Sequence, residues 1–276
     1  MQTYAYYNGK FGKKEDINIS LNERSIYFGD AIYDAAVGRC DRIMWENEHI
    51  DRFYANAAKI GITIPMNKND FSALLHEVAI KSTLENYFLY FQASRCSTER
   101  THSYIGSSTG LMITVSPYKI KRSQAPLNLI TFKDMRHGYC DIKTVNLLPS
   151  VLASTEAKRQ GCDEAIFVRR GTVTECAKSN IAIINQGRVI THPKGNRILP
   201  GITREHLALA CKEIGVPFIE KRFTVNDMMK ADEVIITSTT NLCKRIGRIN
   251  GISVGESESS VSKALSELLY KEYKRL

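Results

Sequence analysis

The stretch Tyr139-Cys-Asp-Ile-Lys143-Thr-Val-Asn-Leu-Leu148-Pro-Ser-Val-Leu-Ala153-Ser-Thr-Glu-Ala-Lys158-Arg-Gln-Gly161 is the pivot of this chain. Lys143 stands ahead of a segment with apolar residues at Val145, Leu148, Val151, Leu152 and Ala153, and Gly161 supplies a helix stop. A lysine at the mouth of such a helix, beside apolar neighbours, loses part of its hydration. Desolvation favours the neutral amine, the form that attacks carbonyls. On this stretch alone the plainer reading prevails: a lysine whose stem covers apolar surface while its ammonium reaches water.

Working outward toward the C-terminus, Asp163–Val168 is a strand and Arg170-Gly171 a turn. Val173-Thr-Glu175-Cys-Ala-Lys-Ser-Asn180 leads into a strand at Ile181–Ile184, which places Glu175 in a connecting loop, exposed. Asn185–Gly187 closes a hairpin into Val189-Ile190. Ile198-Leu-Pro-Gly201-Ile-Thr203-Arg-Glu205 opens a helix running to about Ile214, with Gly201 allowing close backbone approach and Thr203 as N-cap. Free amides at such a start suit an anion. The strand Ala231–Ile236 runs into Thr237-Ser238-Thr239-Thr240, a hydroxyl cluster suited to phosphate. Asn250-Gly251 is a turn, and a helix from about Glu256 to Tyr273 closes the chain.

Toward the N-terminus, residues 3–20 hold two short strands around Asn8-Gly9. Gly29-Asp30 is a turn, β-rich residues follow through Val37, and Gly38 begins a second hairpin toward Met44-Trp45. Tyr33 on that strand is a core or half-buried residue whose hydroxyl needs a partner. Residues 47–60 form an amphipathic helix with Ile50, Phe53, Tyr54, Ala57 and Ile60 on one face. Arg52 lies beside that face, as a surface ion pair or an anion clamp. A second helix covers about Asn69–Thr83. The strand Tyr87–Arg95 leads to the loop Cys96-Ser-Thr-Glu-Arg100-Thr-His102, in which Arg100 and His102 are placed to aim at one carboxylate. Gly110–Val115 is the return strand. The Pro-flanked basic segment 119–126 is the expected linker between a small domain, 1–118, and a larger one, 127–276.

The 276 residues suffice for two domains, and 43% hydrophobic with 24% charged residues is ordinary for a globular protein. No apolar run is long enough to cross a bilayer, and the opening residues lack a signal-peptide pattern, so a cytoplasmic protein without membrane association is expected. Seven scattered cysteines argue against a disulfide framework and against a metal site. The net charge of +9 is spread along the chain without aromatic platforms, so it reads as solvated surface, not as a nucleic-acid face.

Five of these motifs, in this order, resemble the class IV aminotransferases, the pyridoxal-phosphate enzymes of the D-amino-acid and branched-chain type. They are Arg100-Thr-His102, Cys140-Asp-Ile-Lys143, Asn146-Leu-Leu148, Val173-Thr-Glu175 and Gly201-Ile-Thr203-Arg204, within a resemblance that runs from Tyr27-Phe-Gly-Asp-Ala-Ile-Tyr-Asp34 to Thr237-Ser-Thr-Thr240. The resemblance is nearest to the D-amino-acid (D-alanine) aminotransferases. It implies an α+β, two-domain fold type IV architecture, with a small N-terminal α/β domain and a larger β-barrel-like C-terminal domain. It implies that Lys143 holds pyridoxal 5'-phosphate as a Schiff base and shuttles the substrate proton, and that Glu175 pairs with the pyridine nitrogen. Arg52, the amide of Ile202, Thr203, Ser238 and Thr239 would hold the phosphate, and Leu199 would pack on the ring. Tyr33, with Arg100 and His102 from the neighbouring subunit of a homodimer, would hold the carboxylate of an amino acid or 2-oxo acid. The expected reaction is ping-pong transamination between a D-amino acid and a 2-oxo acid.

The sequence departs from the D-specific pattern at Cys176-Ala-Lys178, where a glycine and serines are usual, and at Asn241–Ile246. Thr-Glu-Cys is similar to aminodeoxychorismate lyase, which with the branched-chain L-aminotransferases forms the alternative enzymatic reading. Lys178 is expected to point to solvent. A basic, non-catalytic binding protein on the same scaffold is the alternative from another class; the Lys143, Glu175 and Arg52 set argues against it.

Overall fold

The structure is a computed structural model that describes residues 3–104, 106, 108–122, 125–255 and 260–276. Ser123 and Gln124 of the expected linker, and residues 256–259 of the expected last helix, lie outside the described residues. The chain divides into two units. One is Met1–Lys119 with Ile142–Asn146 and Leu276; the other is Ile120–Asp141 with Leu147–Arg275.

In the first unit β1 (Tyr4–Tyr7) and β2 (Lys10–Lys13) form the hairpin around Asn8-Gly9, where both turn residues have positive φ. A short helix, α1 (Arg24–Phe28), precedes β3 (Ala31–Arg39), which turns at Cys40-Asp41 into β4 (Arg42–Ile43). Gly38 therefore stays within the strand and does not start the turn. Its missing Cβ is what admits the ring of Tyr87 from the neighbouring strand. Then come α2 (Glu46–Lys59), α3 (Lys68–Ser82), capped by the Asn67 side chain, β5 (Asn86–Ser94) and β6 (Gly110–Pro117). The sheet is antiparallel throughout, in the order β2-β1-β6-β5-β3-β4. The two helices cover it through Phe53, Phe71 and Phe91, whose ring centroids lie 4.9–5.5 Å apart.

β4 pairs only with Gly38-Arg39, so the first half of β3 keeps an unpaired edge. Residues Ile142–Asn146 fill it. Tyr33 N–H donates to the Lys143 carbonyl at 2.9 Å, Val145 N–H donates to the Ala31 carbonyl at 3.2 Å, and Ile32 bridges Thr144. These backbone bonds group the Lys143 segment with the first unit, although its chain neighbours belong to the second.

The second unit contains β7 (Leu127–Lys133), α4 (Leu148–Arg159), β8 (Glu164–Arg169), β9 (Thr172–Cys176), β10 (Asn180–Asn185) and β11 (Arg188–Thr191). It continues through α5 (Ile202–Glu213), β12 (Phe218–Glu220), α6 (Val225–Met229), β13 (Glu233–Ser238), β14 (Leu242–Ile249), β15 (Ile252–Ser253) and α7 (Ser260–Lys274). The sheet runs β12-β11-β10-β13-β14-β7-β8-β9, with β15 on β14. Its topology forces it to curl. β9 and β10 are five strand spacings apart in that order, about 24 Å if flat, yet the four residue steps from Cys176 to Asn180 reach at most about 14 Å. The barrel-like second domain follows from that short connection. Its interior is packed with Leu129, Ile166, Val173, Ile181, Val234, Ile236 and Ile246.

α4 buries its small residues and leaves its large apolar ones outward. Ala153 and Ala157 pack inward, while Leu148, Val151 and Leu152 are 68%, 55% and 48% exposed.

Candidate active site

The first unit gathers Tyr33, Arg52 and Lys143. Alternation along β3 sends Ile32, Asp34 and Ala36 toward α2, and Tyr33 to the opposite face. There Tyr33 stacks on Tyr90, with centroids 5.3 Å apart, and the Lys143 ammonium lies 4.2 Å from the Tyr33 ring centroid. On the helix side the wholly buried Asp34 accepts from Arg52 twice, Nε to Oδ2 and Nη2 to Oδ1, both at 2.8 Å. Arg52 is thus half of a buried, bidentate pair and not a surface one. Asp34 Oδ1 also lies 2.8 Å from His49 Nδ1. Burial alone would raise the Asp34 carboxyl, but the Arg52 guanidinium outweighs it and holds the group well below the usual carboxylate range. His49 moves down instead: burial disfavours its charged form, and Arg52 and Lys143 add to that against the hydrogen bond it donates to Asp34 and the charge of that carboxylate. A neutral His49 donates through Nδ1, which leaves its buried Nε2 without a partner among the described residues.

Arg100 and His102 lie on the exposed loop between β5 and β6, in the same unit. Both rest on Phe28: the Arg100 guanidinium carbon is 5.4 Å from that ring and the His102 ring 5.3 Å.

The second unit holds the remaining expected residues. Glu175 is not in a loop and not exposed. It lies in β9, 6% exposed, because the strand continues through Cys176 before the turn. One carboxylate oxygen takes a close contact from Arg136 Nη1, the other accepts from Asn180 Nδ2 at 3.1 Å, and the Leu199 amide donates to both at 3.1–3.2 Å. Arg136 is itself anchored by Asp134, through Nε to Oδ1 and Nη2 to Oδ2 at 3.0 Å, and by the Arg197 carbonyl. Its guanidinium stacks on Phe167 at 4.4 Å. Burial works against the charge on Arg136, but hydrogen bonding to Asp134 and the charge of Glu175 more than offset it and raise its pKa. Burial likewise pushes Asp134 up, and Arg136 with Arg169 brings it down to about 2. Cys140 and Cys176 are buried, and burial pushes both thiols up despite the nearby Arg136, which leaves them packed and protonated.

Asn180 links this cluster to α5. Its Nδ2 also donates to the Leu199 carbonyl at 2.8 Å, and its Oδ1 fills the space a Cβ on Gly201 would need. Gly201, not Thr203, is the N-cap. Thr203 sits one residue inside the helix, where its hydroxyl is buried and has no partner among the described residues. An orphaned hydroxyl beside the unpaired first amides of a twelve-residue helix is suited to an anion. β13 pairs with β10, Thr237 opposite Asn180, which brings Ser238 and Thr239 to the strand end beside the same cluster. Ser238 Oγ accepts from the Asn241 amide at 3.2 Å. Lys178 is exposed, as expected.

Sequence reasoning missed Asp34, His49, Asp134, Arg136 and Asn180. One signal was present: Asp34 falls in phase with Ile32 and Ala36, so a carboxylate occupies a core position and requires a buried cation. Among the described residues no cluster of side chains fits a metal, and no helix is long and apolar enough to cross a membrane.

Comparison with known proteins supplies the family and the fold. The family described as amino-transferase class IV matches residues 31–249. A D-alanine aminotransferase of Listeria monocytogenes is 34% identical over 257 residues, covering 91% of this chain and 89% of the relative. One of Staphylococcus epidermidis is 34% identical over 260 residues, covering 93% and 92%. The branched-chain aminotransferase of Thermoproteus uzoniensis superposes with a TM-score of 0.91 at 20% identity, over 98% of this chain and 94% of that one. At that identity the last match speaks for the fold alone. Taken unit by unit, the lysine on the strand edge suits a covalent tether in the first, and the buried carboxylate and anion-ready helix start suit a pyridine nitrogen and a phosphate in the second; the family match sets a non-catalytic reading aside. The chain belongs to the class IV aminotransferases and is a pyridoxal-phosphate-dependent transaminase.

Proposed function

We propose that this transaminase moves an amino group between a D-amino acid, such as D-alanine, and a 2-oxo acid, such as 2-oxoglutarate, by a ping-pong route through a single site. The observation that carries the reading is the pair Arg100 and His102. Two residues apart, both rest on Phe28, so two donors are held close together on one loop. With Tyr33 they take the substrate carboxylate, Arg100 and His102 reaching the site of the partner in a homodimer. The exposed apolar face of α4 supports a second copy as the partner. The cysteines are free among the described residues, which fits a reducing, cytoplasmic setting.

Pyridoxal phosphate, when bound, supplies an electrophilic carbon and a ring that takes up the charge left when the substrate Cα loses its proton. Lys143 would hold the cofactor covalently through Nζ, and the same Nζ would take the proton from the substrate Cα. Glu175, braced by Arg136, Asn180 and the Leu199 amide, stays in place to keep the ring nitrogen protonated. The Ile202 amide, Thr203, Ser238 and Thr239, with Arg52, would hold the phosphate, and Leu199 would pack on the ring.

The test is the visible spectrum of the purified protein with bound cofactor. D-Alanine should remove the visible band and 2-oxoglutarate restore it. A response to L-leucine alone would move the assignment to the branched-chain enzymes. A band moved by neither, with pyruvate released from aminodeoxychorismate in the absence of a 2-oxo acid, would assign the lyase.

A further inference from the structure

We infer that Arg24 is the positioning residue that fixes the Arg100–His102 loop in its working shape, and so sets affinity for the substrate carboxylate. The inference rests on the reading of Arg100 and His102 given above. Arg24 is only 3% exposed, and its side chain is spread over three anchors. Nε donates to Asp30 Oδ2 at 2.9 Å, Nη1 to the Thr101 carbonyl at 2.7 Å and Nη2 to the His102 carbonyl at 3.2 Å. Those two carbonyls belong to the successive peptide units on either side of His102. Holding both fixes the backbone from which Arg100 and His102 project.

The same guanidinium lies 4.7 Å from the ring centroid of Phe28, on which Arg100 and His102 themselves rest, and 5.4 Å from that of Tyr104. The stem of the loop is tied separately. Arg24 N–H donates to the Cys96 carbonyl at 3.3 Å, Thr98 N–H donates to the Asn22 carbonyl at 3.2 Å, and Glu23 bridges Ser97. Asp30 completes the brace, since its other oxygen accepts from Arg95 Nε at 2.9 Å. The stem bonds hold the loop to the sheet, whereas only the Arg24 side chain reaches its functional tip among the described bonds. A planar fork is required here. Lysine offers one compact ammonium and cannot span two carbonyls and a carboxylate in this arrangement.

The experiment measures kcat and KM for D-alanine in Arg24→Lys, Arg100→Ala and the double variant, with amide hydrogen exchange of residues 99–104. Arg24→Lys should raise KM roughly tenfold, the scale of one lost charge-assisted hydrogen bond, with kcat within about twofold. It should also speed exchange at the loop tip. In the Arg100→Ala background the same change should add less than about twofold, because the loop's main anion partner is already gone. An Arg100→Ala variant with unchanged KM would overturn the carboxylate reading and this inference with it. A raised KM in Arg100→Ala but unchanged KM and exchange in Arg24→Lys would overturn the role of Arg24 alone, as would fully additive effects in the double variant. If Arg24→Lys does not fold, Phe28→Leu removes the platform while keeping bulk. It should give the same KM-only change, and an unaltered KM there would overturn the brace.

Discussion

Two buried charge clusters, one in each unit, are built on opposite plans. In the first the hub is a carboxylate: Asp34 gathers Arg52 and His49. In the second the hub is a guanidinium: Arg136 joins Asp134 to Glu175. A carboxylate hub only accepts, so what it holds at its rim is a cation. A guanidinium hub offers a rigid fork, so what it holds is an anion. Each plan presents the charge its unit is proposed to supply, Arg52 toward a phosphate and Glu175 toward a protonated ring nitrogen. Neither outer residue is held by its own backbone position alone.

The comparison breaks most visibly if the hubs are removed. Arg136→Met leaves two buried carboxylates without their shared partner and should cost about 3–5 kcal/mol of unfolding free energy, read from urea denaturation. A loss under about 1 kcal/mol would mean that Arg169 and water replace it and that it is no hub. Asp34→Ala should cost less, about 3 kcal/mol, since the 13%-exposed Arg52 side chain can turn toward water. Equal or reversed losses would contradict the ranking.

A smaller effect separates the clusters by pH. Asp34 and Asp134, one in each cluster, have lowered pKa values in the fold, so they contribute stability above the unfolded value, about 3.9, and lose it as pH falls through the folded one. His49 adds an earlier loss in the first cluster only. With its folded pKa lowered, the unfolded chain takes up a proton below about pH 6.5 that the folded chain refuses. Stability should therefore fall between pH 6.5 and 5.5 more steeply in the native protein than in His49→Gln, by at most about 1 kcal/mol. Parallel curves for the two proteins would show that His49 is not held neutral.

What the sequence revealed and what it hid follow one physical division. The Asn8-Gly9 hairpin, the helix over 47–60 and the strand over 87–95 are local, carried by turn chemistry and periodicity, and all three are present. The family motifs located Lys143 and Glu175 without their surroundings. Glu175 was misplaced in a loop because a glutamate beside Thr174 and Cys176 carries no local sign of the buried Arg136 waiting for it. Thr203 was misassigned as the N-cap because its residue type suits a cap, whereas Gly201 takes the position owing to Asn180, a residue distant in sequence. The apolar residues of α4 were visible in the sequence, but periodicity alone does not say which of them are buried: Ala153 is, Leu148, Val151 and Leu152 are not.

The segment Ile142–Asn146 has a consequence for how this protein can be divided. A break at Lys119, where the first unit's continuous chain ends, would separate that unit from the five residues that occupy the edge of β3. The resulting N-terminal fragment would lack Lys143 and would leave the Ala31–Tyr33 edge open to pairing with other chains. A single cut in the gene does not separate the two units, because the first takes up residues from both sides of Lys119. The lysine must be threaded back into a sheet already left behind, which ties completion of the first unit to synthesis of at least the first 146 residues.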